Sequence, residues 1–237
     1  MSGFQIFVPV VSETAFECLT AIRVSGFKGR VYAISQESDE VQSAADQTDV
    51  EVYWTRVSSR PLMLNTLFKA VGGEERILIV NSDRLMTPFM LLAVEAVEDD
   101  VKLVGFRDLQ VSEQPDFSDY QQWVMQQLMK AGEYVQSYRP VGCYADAILV
   151  RPEVWQESRG FCEGYLQSGE SVDFCNMAAF RLGKLGLYGG TASVFSLAAE
   201  QRKLEWDTRL GRLRKKRKDI VGSTGEWGTA KTWQSNR

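Results

Sequence analysis

Short apolar runs alternate with helix-spaced apolar stripes along the first half of this chain. Residues 4–11, 31–34, 50–54, 77–80 and 101–106 are rich in β-branched and aromatic side chains and read as strands, the fully apolar run 77–80 as one buried on both faces. Between the first two runs, Ser12 stands where a cap belongs, for a helix to about residue 25. Ala15, Cys18, Leu19 and Ile22 fall on one stripe of it, and Gly26 and Gly29 end it. Residues 40–47 and 61–71 read as further helices, the second stopped by Gly72-Gly73. Thr87-Pro88 has the form of an N-cap and first helical residue, with Phe89, Leu92, Ala93, Ala96 and Val97 on one predicted face. Strand-helix alternation over about 106 residues predicts an α/β fold: a three-layer sandwich around a mostly parallel central sheet.

The pattern then changes. Residues 110–118 form a polar, acidic loop containing Pro115. Tyr120, Trp123, Val124 and Leu128 mark an amphipathic helix ending near Gly132. A strand is predicted at 145–150, a helix from near residue 169 with Val172, Cys175, Ala179 and Leu182 on one face, and a strand at 187–195. There is no internal repeat, no Walker loop and no GxGxxG signature.

One run carries chemistry. Ile77-Leu78-Ile79-Val80 ends abruptly in Asn81-Ser82-Asp83, which cannot continue into a core without burying unpaired polar groups. The strand therefore surfaces at its carboxyl end, where open α/β sheets bind ligands. A carboxylate there can hold a divalent cation and, through it, a diphosphate. The alternative is a turn leading into the helix at Thr87-Pro88.

Composition narrows the chemistry. The 237 residues are 44% hydrophobic and 24% charged, as in soluble globular proteins, and no apolar run reaches the roughly 20 residues of a membrane span. Met1 to Pro9 lacks the basic start and long apolar core of a signal peptide, so a cytoplasmic location is expected. Cys18, Cys143, Cys162 and Cys175 form no CxxC pair. The chain has no histidine, which excludes a Ser-His-Asp triad, a Cys-His pair and any His-metal site. Acid–base work must fall to carboxylates, Lys, Tyr or Cys. Charge is uneven: residues 1–199 hold 16 Lys/Arg against 26 Asp/Glu, whereas residues 200–237 hold 11 against 5. Six of the seven residues from Arg212 to Lys218 are basic. Such a tail suits a solvated helix end, self-association with an acidic body, an anionic membrane surface or nucleic-acid contact.

Four blocks then occur in a telling order. Ile6-Phe7-Val8-Pro9-Val10 looks like an opening "V-I-P-x-Y" strand. Asn65 lies near the place of the Asn in an "A-R-N-x-G" helix. Asn81-Ser82-Asp83 with Thr87-Pro88 is similar to a D-x-D region. Residues 147–155, Gly160-Phe161-Cys162-Glu163 and residues 169–175 are similar to "A-L-L-I-R-R-E-V-F…G-F-D-E…G-E-D-V-D-L-C". Over residues 4–200 this order resembles the family 2-like glycosyltransferases of the GT-A fold. The resemblance implies a nucleotide-sugar-binding half at residues 1–109, an acceptor-side half at 110–199, and a basic C-terminal helix and arm at 200–237.

It also implies roles. Pro9, Ser35, Asn65, Asn81 and Ser82 would line the donor nucleotide, Asp83 would hold Mn²⁺ or Mg²⁺, and Glu170 or Asp173 would be the general base. The implied activity is sugar transfer from a nucleotide-sugar donor to a hydroxyl acceptor, inverting and metal-assisted. Four positions depart from the family pattern. Ser35 replaces the base-contacting Asp, and Asn81 the first acid of D-x-D, as in the N-N-D variant of rhamnosyltransferase-like members. Ser171 replaces the second carboxylate of the "E-D" pair, and Ser196 the late metal-ligand His. Those losses leave a second expectation open, a catalytically degenerate GT-A fold kept as a structural or partner-binding module.

Overall fold

The computed structural model describes residues 3–98, 101–131, 147–164, 171, 173–175, 177, 178, 186, 187 and 193–196. Glu170, Cys143 and the basic tail lie outside the described residues.

Among the described residues, strands and helices follow one another as β1 (Phe4–Pro9), α1 (Ala15–Val24), β2 (Val31–Ser35), α2 (Asp39–Thr48), β3 (Glu51–Trp54), α3 (Arg60–Val71), β4 (Arg76–Val80), β5 (Arg84–Met86), α4 (Pro88–Glu95), β6 (Leu103–Gly105), β7 (Arg107–Gln110), α5 (Tyr120–Ala131), β8 (Ala147–Val150), α6 (Pro152–Ser158), β9 (Gly186–Leu187) and β10 (Ser193–Ser196). Ser171, Asp173–Cys175, Met177 and Ala178 are also helical. The central sheet has the order β3-β2-β1-β4-β8-β6-β9. Six of its strands run one way, and β8 runs against β4 and β6 on either side.

Both faces of the sheet are covered along β1, β2, β4, β6 and β8, which is why those strands read as apolar runs, whereas the edge strand β3 is partly exposed. Alternation along β4 shows it: Leu78 and Val80 pack with Cys18, Leu19 and Ile22 of α1 and Met90 and Val94 of α4. Ile77 and Ile79 pack on the other side with Leu64, Leu67 and Phe68 of α3 and Val154 of α6. The expected three layers are present.

The helix starts differ in instructive ways. Thr87 is the expected cap of α4, its Oγ1 accepting from the Met90 amide at 3.1 Å. Thr87→Ala is expected to cost about 1 kcal/mol, read as a lower urea midpoint with an unchanged slope. The buried face of α4 is Met90, Ala93 and Val94, with Val97 buried just beyond its end, while Leu92 is 62% exposed and the C-cap Ala96 is exposed. The face is rotated from the predicted stripe because every residue from Pro88 to Val94 is apolar, so spacing alone cannot phase the helix. Ser12 is not the cap of α1. Thr14 holds that position, without a side-chain cap bond, and Ser12 bonds Ser82 instead.

A second sheet, β5-β10-β7, is absent from the sequence-based expectation. Of the run expected at 101–106, β6 lies in the central sheet, and the unexpected β7, which follows Phe106, pairs with β10. Of the strand expected at 187–195, Leu187 lies in β9 and Ser193 to Phe195 lie in β10. Leu85, Trp123, Val124 and Phe195 form the small core between this sheet and α5, and the Tyr120 hydroxyl donates to the Met86 carbonyl at 2.9 Å. Burial raises the Tyr120 pKa, so this phenol stays a neutral donor. Among the described residues no helix is long and apolar enough to cross a membrane.

Candidate functional site

The carboxyl ends of β1, β2 and β4 lie side by side, as parallel pairing requires. Pro9 ends β1 and is buried. The next residues, Val10 to Glu13, form one wall of a cleft of about 860 Å³. The other wall comes from Ser35 to Asp39 at the end of β2, with Phe16 and Met63 also lining it. Phe16 keeps 43% of its surface exposed there, an apolar ring available for stacking. Ser35 itself is buried and its hydroxyl donates to the Gln36 carbonyl at 2.8 Å. The described lining holds carboxylates from Glu13, Glu17, Glu37, Asp39 and Glu40, and no Lys or Arg. Such a cleft suits a neutral, flat group better than a phosphate.

Cationic groups meet the end of β4 instead. Arg60, the first residue of α3, donates from Nε to Asn81 Oδ1 at 2.6 Å and from Nη1 to Ser171 Oγ at 2.5 Å. Its guanidinium also lies 6.0 Å from the Phe161 ring centre. One side chain thus spans the strand end and the helix turn that carries Ser171, 111 residues away in sequence. Asp173, two residues further along that helix, is buried.

Arg84 is the second cation. Its side chain is 2% exposed, and Nη1 lies 2.9 Å from Asp83 Oδ2 and 3.3 Å from Ser196 Oγ. The β5–β10 register places Arg84 opposite Ser196 and so fixes this arrangement. Sequence reasoning missed both arginines. The available signals were Arg60 immediately before a helix-opening Pro61, and Arg84 immediately after the only acid of the strand end.

Ser82 is fully buried and works as a staple. Its Oγ accepts from the Val11 amide at 3.0 Å and bonds Ser12 Oγ at 2.9 Å, and its carbonyl accepts from Thr14 at 3.1 Å. It therefore fixes the wall of the cleft to the end of β4. Asn65 is a joint of another kind. Its Nδ2 donates to the Phe161 carbonyl and to Glu163 Oε1, both at 2.9 Å. Its Oδ1 accepts from the Phe161 amide at 2.8 Å and Trp155 Nε1 at 3.2 Å. Both donors and both lone pairs are met by the protein, so Asn65 braces α3 against the 160–163 turn rather than facing a nucleotide. Gly160, at φ +76°, makes room for it: a Cβ there would sit 2.5 Å from Asn65 Oδ1.

Cys18 lies behind the site and donates to the Asn81 carbonyl at 3.5 Å. Burial, and then the Asp83 carboxylate, raise its pKa, so it is no nucleophile. Nor do the residues present fit the divalent cation expected at Asp83. One oxygen of its carboxylate is met by a guanidinium, and its neighbours at Asn81 and Ser196 are uncharged.

No protein-family profile matches the chain, and no curated protein matches it. Solved structures do. Staphylococcus aureus TarS superposes with a TM-score of 0.59 at 14% identity, over 82% of this chain and 36% of TarS. The catalytic domain of Drosophila β1,4-galactosyltransferase 7, solved with xylobiose, superposes at 0.50 and 10% identity, over 84% of this chain and 72% of that one. Both are GT-A-type glycosyltransferases. The fold is GT-A-like. At these identities the likeness establishes the fold alone, and the chain spans about a third of the length of TarS. In this GT-A-like fold the cleft lies over β1 and β2, and the arginine cluster closes the end of β4.

Proposed function

We propose that this GT-A-like fold transfers a sugar from a nucleotide-sugar donor to a hydroxyl acceptor with inversion. The observation that carries the reading is the Arg60 bridge. It joins Asn81, at the ligand edge of the sheet, to Ser171, which in sequence follows Glu170 and precedes Asp173 by two, the carboxylates expected to act as base. The nucleoside would lie in the acidic cleft against Phe16, with its base and ribose uncharged. Its diphosphate would extend toward Arg60, whose planar fork matches phosphate oxygens.

The acceptor oxygen attacks the anomeric carbon as the bond to the diphosphate oxygen breaks, and a single displacement inverts that carbon. The acceptor proton passes to Glu170 or Asp173. The departing diphosphate is stabilised by positive charge held in place before the reaction, which is where fixed charges are most effective.

A thermal-shift screen of nucleoside diphosphates and nucleotide sugars tests this. A ligand at about a hundred times its Kd stabilises by about 2.7 kcal/mol, a rise on the order of 5–10 °C for a domain of this size. A flat response across uridine, guanosine, thymidine, cytidine and adenosine diphosphates and their sugars would sink the reading. It would leave the partner-binding module, which the neutral residues at Ser35, Asn81, Ser171 and Ser196 favour.

A further inference from the structure

The surroundings of Asp83 set the charge of the proposed diphosphate site, and the role assigned to Arg84 below depends on the glycosyltransferase reading. Asp83 is the only carboxylate of the Asn81-Ser82-Asp83 turn. Its Oδ2 is met by Arg84 at 2.9 Å, and the same Nη1 reaches Ser196 Oγ at 3.3 Å and the Asp83 carbonyl at 3.2 Å. The guanidinium is not a surface group that has folded back. Its side chain is 2% exposed, and β5 is pinned between the Asn81 turn and β10. An arginine carries its charge at every accessible pH, so this cation is not lost by deprotonation.

A hard divalent cation needs several oxygen ligands, preferably charged, within about 2.0–2.6 Å. Here it would meet one carboxylate already paired with a cation, a neutral amide whose oxygen is held by Arg60, and a hydroxyl held by Arg84. Bringing a second positive charge to that point means displacing a buried guanidinium from its partners.

We propose that Arg84 stands in the place of a divalent cation at Asp83, so that this site takes its nucleoside diphosphate without metal. Asp83 then acts as the anchor of a fixed positive charge, and Ser196 as a second acceptor that orients it. The uncharged residue at Ser196 is a consistent part of this arrangement, since an acid there would compete with Asp83 for the same guanidinium and an imidazolium would repel it.

Two measurements on the full chain test this. Electron paramagnetic resonance of Mn²⁺ titrated with the protein alone is expected to show only the free-ion signal through the millimolar range. Bound Mn²⁺ that disappears in Asp83→Asn would overturn the proposal. Nucleoside diphosphate affinity, measured by calorimetry, is expected to agree within about twofold between EDTA and millimolar Mn²⁺; a gain of roughly tenfold or more with Mn²⁺ would overturn it. If no nucleoside diphosphate binds in either condition, the glycosyltransferase reading fails, and the Mn²⁺ titration still decides the occupancy of Asp83.

Discussion

Asn65→Asp is expected to destabilise the protein by about 3–5 kcal/mol although the side chain keeps its shape. The amide nitrogen donates to the Phe161 carbonyl and the Glu163 carboxylate, and replacing it with oxygen sets acceptor against acceptor at both. Each buried polar group left unmet costs about 1–3 kcal/mol, and the new charge beside Glu163 adds repulsion. Urea denaturation at neutral pH reads the loss directly. The sign of the pH dependence is a second check. Burial and the facing carboxylate raise the pKa of the introduced acid in the folded state. The variant therefore recovers stability as pH falls through that range, because a protonated acid donates again. A loss well below 1 kcal/mol, accompanied by weakened nucleotide binding, would instead make Asn65 a ligand contact.

Arg84→Met is expected to cost about 3 kcal/mol or more. Methionine fills much of the same volume, so the loss reports charge rather than a cavity. Removing one partner of a buried ion pair leaves the other uncompensated, typically at a cost of about 3–5 kcal/mol. Asp83 retains some contact with water at 16% exposure, which places the expectation at the lower end. Adding Asp83→Asn to the same chain removes the stranded charge, so the double variant is expected to be more stable than Arg84→Met alone. The exposed Arg30–Glu75 pair, at a similar 2.8 Å but 62% and 42% exposed, is the contrast: water screens it, and its loss should be far smaller. If the two arginines prove equally replaceable, the Arg84 charge does not hold the second sheet in place.

How much of this could be read beforehand depends on where the information lies. The buried strands were legible because β-branched runs such as Ile77–Val80 leave few other ways to bury two faces. Thr87-Pro88 announced a helix start through local bonding alone. The second sheet was not legible, because β5, β7 and β10 are three or four residues long and gain their identity only by pairing with one another. At the site, the polar turn at Asn81–Asp83 could be located from its abruptness. What Asp83 meets could not, because it depends on the β5–β10 register and on a residue 112 positions beyond Arg84. Asn65 shows the opposite limit. Its place in the order of motifs was visible, but its partners at Trp155, Phe161 and Glu163 turned an expected contact into a brace.

The late strand, β8, also sets a schedule. β3, β2, β1 and β4 can assemble once residue 80 has been made, since they pair with one another within that stretch. The outer edge of β4 must wait for Ala147, and β6 joins β4 only through β8. At ribosomal speeds of about 5–20 residues per second, that gap lasts roughly 3–13 s. For that time a finished half-sheet carries a bare apolar edge, which is the geometry that pairs with a neighbouring chain. The late position in the chain of one four-residue strand therefore decides how long each newly made molecule is exposed to misassembly.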